Sequence, residues 1–331
     1  MTNQQSLTQL TETIYCVAIP VPFRRLKVVN CYLIQDHDEW SIIDTGANIP
    51  QAQSIWQTAL EQLQIQPTAI RQIILTHIHP DHFGLAGWLQ QYATEAPVLV
   101  SPYATAFAEI IWRDGRTDYG DVENFWLKTG LDDGMQARWD AGMAEMRQIV
   151  LPYPTHIKPL TPNSMLTIGR YDFQIIDTPG HSDGHVILYD QQTKLVLVGD
   201  QVLPKITPNI GQWPGTLPNP LGRYLNSLHE LKRVEVNLAL PGHGPIISNW
   251  SERITEIEQH HAERLAHMKE AVSMPATAYQ VSRHAFDYKT LDQYEIQFAV
   301  SETLAHLEYM VSQHEIQRHN NGVWRYERRE T

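Results

Sequence analysis

Apolar residues in the first three quarters of this chain fall in short, often β-branched runs bounded by Gly, Asp, Asn or Pro, which is the pattern of strands and turns. Runs at residues 14–19, 30–34 and 40–43 predict an early strand series, and Ile73-Ile74-Leu75 predicts a buried strand after it. Between them Asp44-Thr45-Gly46 turns into an amphipathic stretch at 51–63 that predicts a helix. A second series follows at 165–168, 171–176, 186–189 and 195–198, with one more run at 236–240. The segment 101–159 between the two series is different. It carries helical signals and a crowd of Trp112, Tyr119, Phe125, Trp126, Trp139 and Met143, so it reads as an inserted set of helices that caps the strands or walls a pocket. From Ser251 the period is helical: 251–272, with Ser251 as N-cap and Glu256, Glu258 and Glu263 facing solvent, then 277–286 and 291–313. Residues 315–326 alternate on either side of Asn321-Gly322, a strong hairpin signal. The expected division is residues 1–250 and a separate small module at 251–331.

The chemistry lies where the strand runs end. Thr76-His77-Ile78-His79-Pro80-Asp81-His82 follows Ile73-Ile74-Leu75 directly. Side chains two apart on an extended segment share a face, so His77 and His79 are preset to grip one metal. Pro80 turns the chain, which lets Asp81 and His82 face the same cavity for a second metal. Gly180-His181-Ser182, Gly199-Asp200 and Gly242-His243-Gly244 each follow a strand run, with glycine allowing close backbone approach.

These motifs in this order resemble the metallo-β-lactamase superfamily of hydrolases, over roughly residues 12 to 250 and at every ligand position. The resemblance implies an α/β fold, a four-layer αββα sandwich with the metals at one edge between the sheets. It implies that His77, His79 and His181 hold metal one, that Asp81, His82 and His243 hold metal two, and that Asp200 bridges them. Asp44 sits in an Asp-Thr-Gly turn that the superfamily places near the metal floor without using it as a ligand. Helices followed by a hairpin resemble a winged helix, a tail found in the branch similar to β-lactamase-like endoribonucleases.

His and carboxylate donors without thiolate suit two divalent ions, zinc foremost, with iron or manganese also accepted. Such a pair lowers the pKa of a shared water and supplies hydroxide near pH 7 to cleave an ester, thioester or lactone. Asp81 is the expected catalytic residue, orienting that nucleophile and carrying its proton. His185 is expected to support the ligands or touch substrate, Lys205 to draw an anionic group or stay solvated, and Trp112 and Trp126 to wall the pocket of a small acyl substrate. A metal-dependent endoribonuclease or phosphodiesterase is the alternative, and a sulfur dioxygenase using site one alone is a third reading. A flavodiiron reductase is disfavoured, because that branch carries Glu where this chain has His79.

The formal net charge of −12 opposes broad nucleic-acid binding. From Ser251 to Thr331, nine Lys and Arg stand against thirteen Asp and Glu, 9 − 13 = −4, the wrong sign for a nucleic-acid module. Arg318, Arg325, Arg328 and Arg329 could nevertheless cluster on the hairpin. Packing, homodimer formation or pocket closure is therefore the expected role of the tail. The polar start Met1-Thr2-Asn3-Gln4-Gln5 lacks a signal-peptide pattern, and no run approaches the ~18 apolar residues of a membrane span, so a cytoplasmic location is expected. Cys16 and Cys31, the only cysteines, lie in strand runs and read as buried free thiols.

Overall fold

The computed structural model describes residues 6–116, 121–131 and 134–329; Tyr119 and the start Met1-Thr2-Asn3-Gln4-Gln5 lie outside them. One sheet runs in chain order through β1 (Leu7–Gln9), β2 (Ile14–Pro20), β3 (Val28–Asp36), β4 (Glu39–Ile43), β5 (Ile70–Ile74), β6 (Val98–Val100) and β7 (Ile157–Pro159). Its first four strands meander antiparallel, and from β4 onward neighbours are parallel. Parallel pairing demands crossover connections, which here carry α1 (Pro50–Gln62), the short α2 (Pro80–Phe83) and α3 (Ala86–Tyr92). The second sheet is built from β8 (Met165–Ile168), β9 (Tyr171–Asp177), β10 (Val186–Asp190), β11 (Leu195–Gly199) and β12 (Leu238–Pro241), in the order β12-β11-β10-β9-β8. Only β11 and β12 are parallel in it, joined through α7 (Pro220–Leu231).

The inner faces meet where the alternation places them. Ile14, Ile34, Ile43 and Ile74 of the first sheet pack against Phe173, Ile175, Val186, Leu188, Leu197 and Leu240 of the second. Each such large side chain, fully buried, contributes about 1.5–3 kcal/mol. The outer face of the first sheet is covered by Trp56 and Leu60 of α1 and Leu89 of α3. The second is covered by Leu221, Tyr224 and Leu228 of α7 and by Ile254 and Ile257 of α8 (Trp250–Glu270). The expected four-layer αββα order is observed. Cys16 and Cys31 are free, with Cys31 buried and Cys16 partly so. Among the described residues no helix is long and apolar enough to cross a membrane.

The structure differs from the sequence reading at three places. β1, β6 and β7 have three residues each, too few to register as a period. Ser251 lies inside α8, whose N-cap is Asn249; the start is fixed instead by buried Trp250, whose indole N–H donates to the Leu231 carbonyl at 3.0 Å. The third difference concerns the insertion. Its first part, α4 (Pro102–Ala108) with the π turn Glu109–Arg113, does pack on the sandwich through Ala104, Ala108, Ile111 and Trp112. Its second part, α5 (Val122–Thr129) and α6 (Met135–Gln148), shares a core with the tail, and Met143 and Met146 of α6 also pack on the sandwich. Trp126, Met135 and Trp139 pack with Met268 of α8, Val281 of α9 (Ala278–Ala285) and Val300 and Leu304 of α10 (Gln293–Ser312). Ile316 of β13 (Ile316–Asn321) and Tyr326 of β14 (Val323–Arg328) close it. Helices α9 and α10 of the tail begin with reciprocal capping boxes, Thr277 with Gln280 and Asp292 with Glu295. The hairpin turns at Asn321-Gly322 as expected, with Gly322 at φ +85°.

Candidate metal centre

Every candidate ligand follows the carboxyl end of a strand. His77, His79, Asp81 and His82 come after β5, His181 after β9, Asp200 immediately after β11, and His243 two residues beyond β12. Pro80 opens α2 at its first turn, where its missing N–H costs nothing, and the helix turns Asp81 and His82 inward, both buried. Three groups of donor atoms then fall within 4.8 Å of one another: His77, His79 and His181; His77, His82 and Asp200; and Asp81, His82 and His243. Asp200 stands between the groups. Its Oδ2 is 3.7 Å from His181 Nε2 and 3.4 Å from His243 Nε2, and its Oδ1 is 3.4 Å from His82 Nε2. Asp81 Oδ2 lies 3.2 Å from His243 Nε2.

The outward nitrogens fix how each ring presents itself. His181 Nδ1 donates to the Asn209 carbonyl at 2.9 Å, and His243 Nδ1 to the Val28 carbonyl at 2.7 Å. His82 Nδ1 donates to Asp44 Oδ2 at 2.8 Å. Thr76 Oγ1 gives its proton to Asp44 Oδ2 and so accepts from His77 Nδ1 at 3.0 Å. With the proton held on Nδ1, a neutral ring turns a lone pair on Nε2 into the cavity. There, four buried atoms have no hydrogen-bond partner: His82 Nε2, His181 Nε2, His243 Nε2 and Asp200 Oδ1. His77 Nε2 and His79 Nδ1 also face each other at 3.0 Å. Convergent orphaned donors cost folding energy unless a cation satisfies them, and this donor set fits a pair of divalent ions.

The electrostatics divide the cavity. Burial, reinforced by neighbouring imidazoles, holds His77 well below the usual histidine value and His79 down at about 3. Burial also lowers His181. At the other end burial opposes the charged form of His82 and His243, but the carboxylates outweigh it: Asp200, Asp44 and Asp81 raise His82 well above normal, and Asp200 and Asp81 raise His243 to about 10. The carboxylates favour the charged form of His82 and His243, so a metal binding at this end competes with protons for those two rings.

Asp44 is not among the converging donors. It sits beneath them at φ +57° and accepts from Thr76 N at 2.9 Å as well as from Thr76 Oγ1 and His82. His185 likewise supports: buried, it accepts at Nε2 from the Asp200 backbone N–H at 3.2 Å, while Nδ1 lies 2.8 Å from Thr178 Oγ1. Trp112 is buried and donates to the Ile78 carbonyl at 3.0 Å, pinning the backbone between His77 and His79. Trp126 is fully buried in the core shared with the tail, against Phe125, Trp139 and Trp213. Lys205 is exposed in an open cleft of about 430 Å³ with Ile206, Thr207, Arg253, Glu256 and His260, none of them in the metal cluster. Gly242 is required by contact: a Cβ there would stand 2.3 Å from Asp200 Oδ1 and 2.7 Å from His82 Cε1. Sequence reasoning missed Asn30 and Tyr32. Asn30 Nδ2 donates to the Pro241 and Gly244 carbonyls, and Tyr32 OH donates to Pro241, tying the His243 loop to β3. No sequence signal marks such bonds to backbone carbonyls.

The chain belongs to the metallo-beta-lactamase superfamily, whose family model matches residues 24–243, and the model of the metallo-beta-lactamase-like C-terminal domain matches residues 265–329. It is 26% identical over 315 residues to the probable metallo-hydrolase YqjP of Bacillus subtilis (strain 168), covering 92% of this chain and 94% of that protein. A metallo-beta-lactamase family protein from Thermus thermophilus matches at 30% identity with a TM-score of 0.84, over 97% of this chain and all of that one. A beta-lactamase domain protein from Burkholderia ambifaria matches at 26% identity with a TM-score of 0.87, over 98% and 94%. The chain is accordingly a metallo-hydrolase of this superfamily.

Proposed function

We propose that this protein binds two divalent metal ions, zinc foremost, and hydrolyses an ester, thioester or lactone of a small acyl substrate. The observation that carries this reading is the convergence of four unpartnered, buried donor atoms in one cavity. His77, His79 and His181 would hold one ion and Asp81, His82 and His243 the other, with Asp200 between them. Two ions so held supply Lewis acidity and a water of lowered pKa. Asp81, beside His243 in the cavity, would orient such a water and carry its proton to the leaving group. Asp44, Thr76, His185, Val28 and Asn209 keep the ligand atoms aimed, and Trp112 keeps the strand end rigid.

A phosphodiester substrate is the second reading, favoured by the resemblance of the three helices and hairpin to a winged helix. The charge pattern favours the acyl reading. Arg318 pairs with Glu308 at 2.8 Å and lies over the Trp324 ring, and Arg328 Nε donates to the Lys269 carbonyl. Elemental analysis should find close to two metals per chain. Activity should vanish on chelation, return with zinc or manganese, and appear on a panel of esters, thioesters and lactones. A fully active metal-free enzyme would refute the metal reading. RNA cleavage that depends on His77 and on the tail arginines would overturn the acyl reading and leave the metal centre standing.

A further inference from the structure

His181 stands apart from the other ligands in what orients it. His82 and His77 lean on the Asp44 and Thr76 floor, and His243 leans on β3. His181 instead leans on the Asn209 carbonyl, in the loop between Asp200 and α7. That stretch has no helix or strand of its own and borrows rigidity from the tail. Asn209 Nδ2 donates to Glu302 Oε2 at 3.0 Å. One helical position earlier, Ser301 makes two bonds: its carbonyl accepts from Gln212 N at 3.1 Å, and its Oγ donates to the Gln212 carbonyl at 3.2 Å. The loop is pressed close enough that a Cβ at Gly211 would meet Ser301 Oγ at 2.2 Å. Glu302 is itself held, with Arg264 of α8 at 3.8 Å from Oε1 and His306 Nδ1 donating to its carbonyl at 2.7 Å.

Resting on the two-metal reading above, we propose that Glu302 of α10 is a positioning residue of the metal centre. It holds Asn209, whose carbonyl fixes the ring of His181 with Nε2 facing the metal. The tail thereby supplies a structural arm of the first metal site. Glu302 touches no reacting atom, so its effect falls on metal affinity at one site and not on the other.

The test is zinc binding by competition with a chromophoric chelator, together with the visible spectrum of the cobalt-substituted protein. It compares wild type, Glu302→Ala, Glu302→Gln, Asn209→Ala and the double variant Asn209→Ala/Glu302→Ala. Glu302→Ala should weaken one of two metals by about 10–100-fold and shift the cobalt spectrum, leaving the other metal unchanged. Glu302→Gln should restore most of the affinity, because its amide oxygen still accepts from Asn209. The double variant should bind no worse than Asn209→Ala alone, since the two act through one bond. Wild-type affinity and spectrum in folded Glu302→Ala, or additive losses in the double variant, would overturn the proposal. If Glu302→Ala fails to fold, Asn209→Ala removes the same bond from the loop side and decides the matter in the same way. A wild-type protein that binds no second metal would instead refute the two-metal reading itself, an outcome distinct from unchanged variants.

Discussion

Replacing Asp44 with Asn changes one buried oxygen to nitrogen and should still disable half the metal centre. The carboxylate accepts three hydrogen bonds, from Thr76 N at 2.9 Å, Thr76 Oγ1 at 2.8 Å and His82 Nδ1 at 2.8 Å. Asn can keep the first on its Oδ1, but its NH2 group then faces Thr76 Oγ1 and His82 Nδ1. Thr76 can rotate and accept. His82 can accept only by moving its proton to Nε2, the nitrogen that faces the cavity, which removes the lone pair proposed to bind metal. Loss of such an orienting partner typically lowers metal affinity 10–100-fold, or about 1.4–2.8 kcal/mol. The backbone at φ +57° suits Asn, so the fold should survive. Asp44→Ala is harsher, because it strands Thr76 N–H and His82 Nδ1 in the interior at about 1–3 kcal/mol each and adds left-handed strain of roughly 1–2 kcal/mol. The assay pairs a zinc competition titration with thermal unfolding of the metal-free protein. Asp44→Asn binding both metals as tightly as wild type would refute the reasoning, as would an Asp44→Ala protein with unchanged metal-free stability.

Asp81→Asn should fold normally by circular dichroism yet lower turnover by roughly 10² or more, and unchanged turnover would remove Asp81 from the mechanism. Gly242→Ala, whose new methyl would overlap Asp200 Oδ1 and His82, should lose metal on elemental analysis; retention of two metals would contradict the close approach described. Trp126→Ala should cost about 3–5 kcal/mol in urea unfolding, because the ring is fully buried in the core shared by insertion and tail. Converting Arg318, Arg325, Arg328 and Arg329 to Gln should leave turnover of a small neutral ester unchanged, and a large loss would point to an anionic substrate bound on the hairpin.

What could be read in the sequence was what side-chain chemistry dictates. His77 and His79 were legible from their spacing at a strand end, and the set of seven candidate donors from the resemblance of four motifs, in order, to the superfamily. The strand runs were visible because buried strands must be apolar. The supports were not. His243 and His181 are oriented by the carbonyls of Val28 and Asn209, and a backbone carbonyl has no residue signature. Trp126 was legible as an apolar anchor of a helix, but the period that marks a buried face does not name the element that buries it. Its partners came from the tail and not from a pocket. Asn249 and not Ser251 stands at the N-cap of α8 for a similar reason: both residue types are favoured caps, and the packing of Trp250, invisible locally, decides between them.

The core shared by insertion and tail also dictates an order of assembly during synthesis. Trp126, Met135 and Trp139 leave the ribosome long before Val300, Ile316 and Tyr326, which bury them. At typical elongation rates of about 5–20 residues per second, the wait between Trp126 and Tyr326 is on the order of ten to forty seconds. The sandwich strands can pair in that interval while α5 and α6 stay without their partners, a sticky surface suited to chaperone capture. A premature stop anywhere before α10 makes that exposure permanent. The nascent chain can therefore hold all seven donor residues and still be a substrate for degradation, because residues made well after them shelter Trp126 and Trp139.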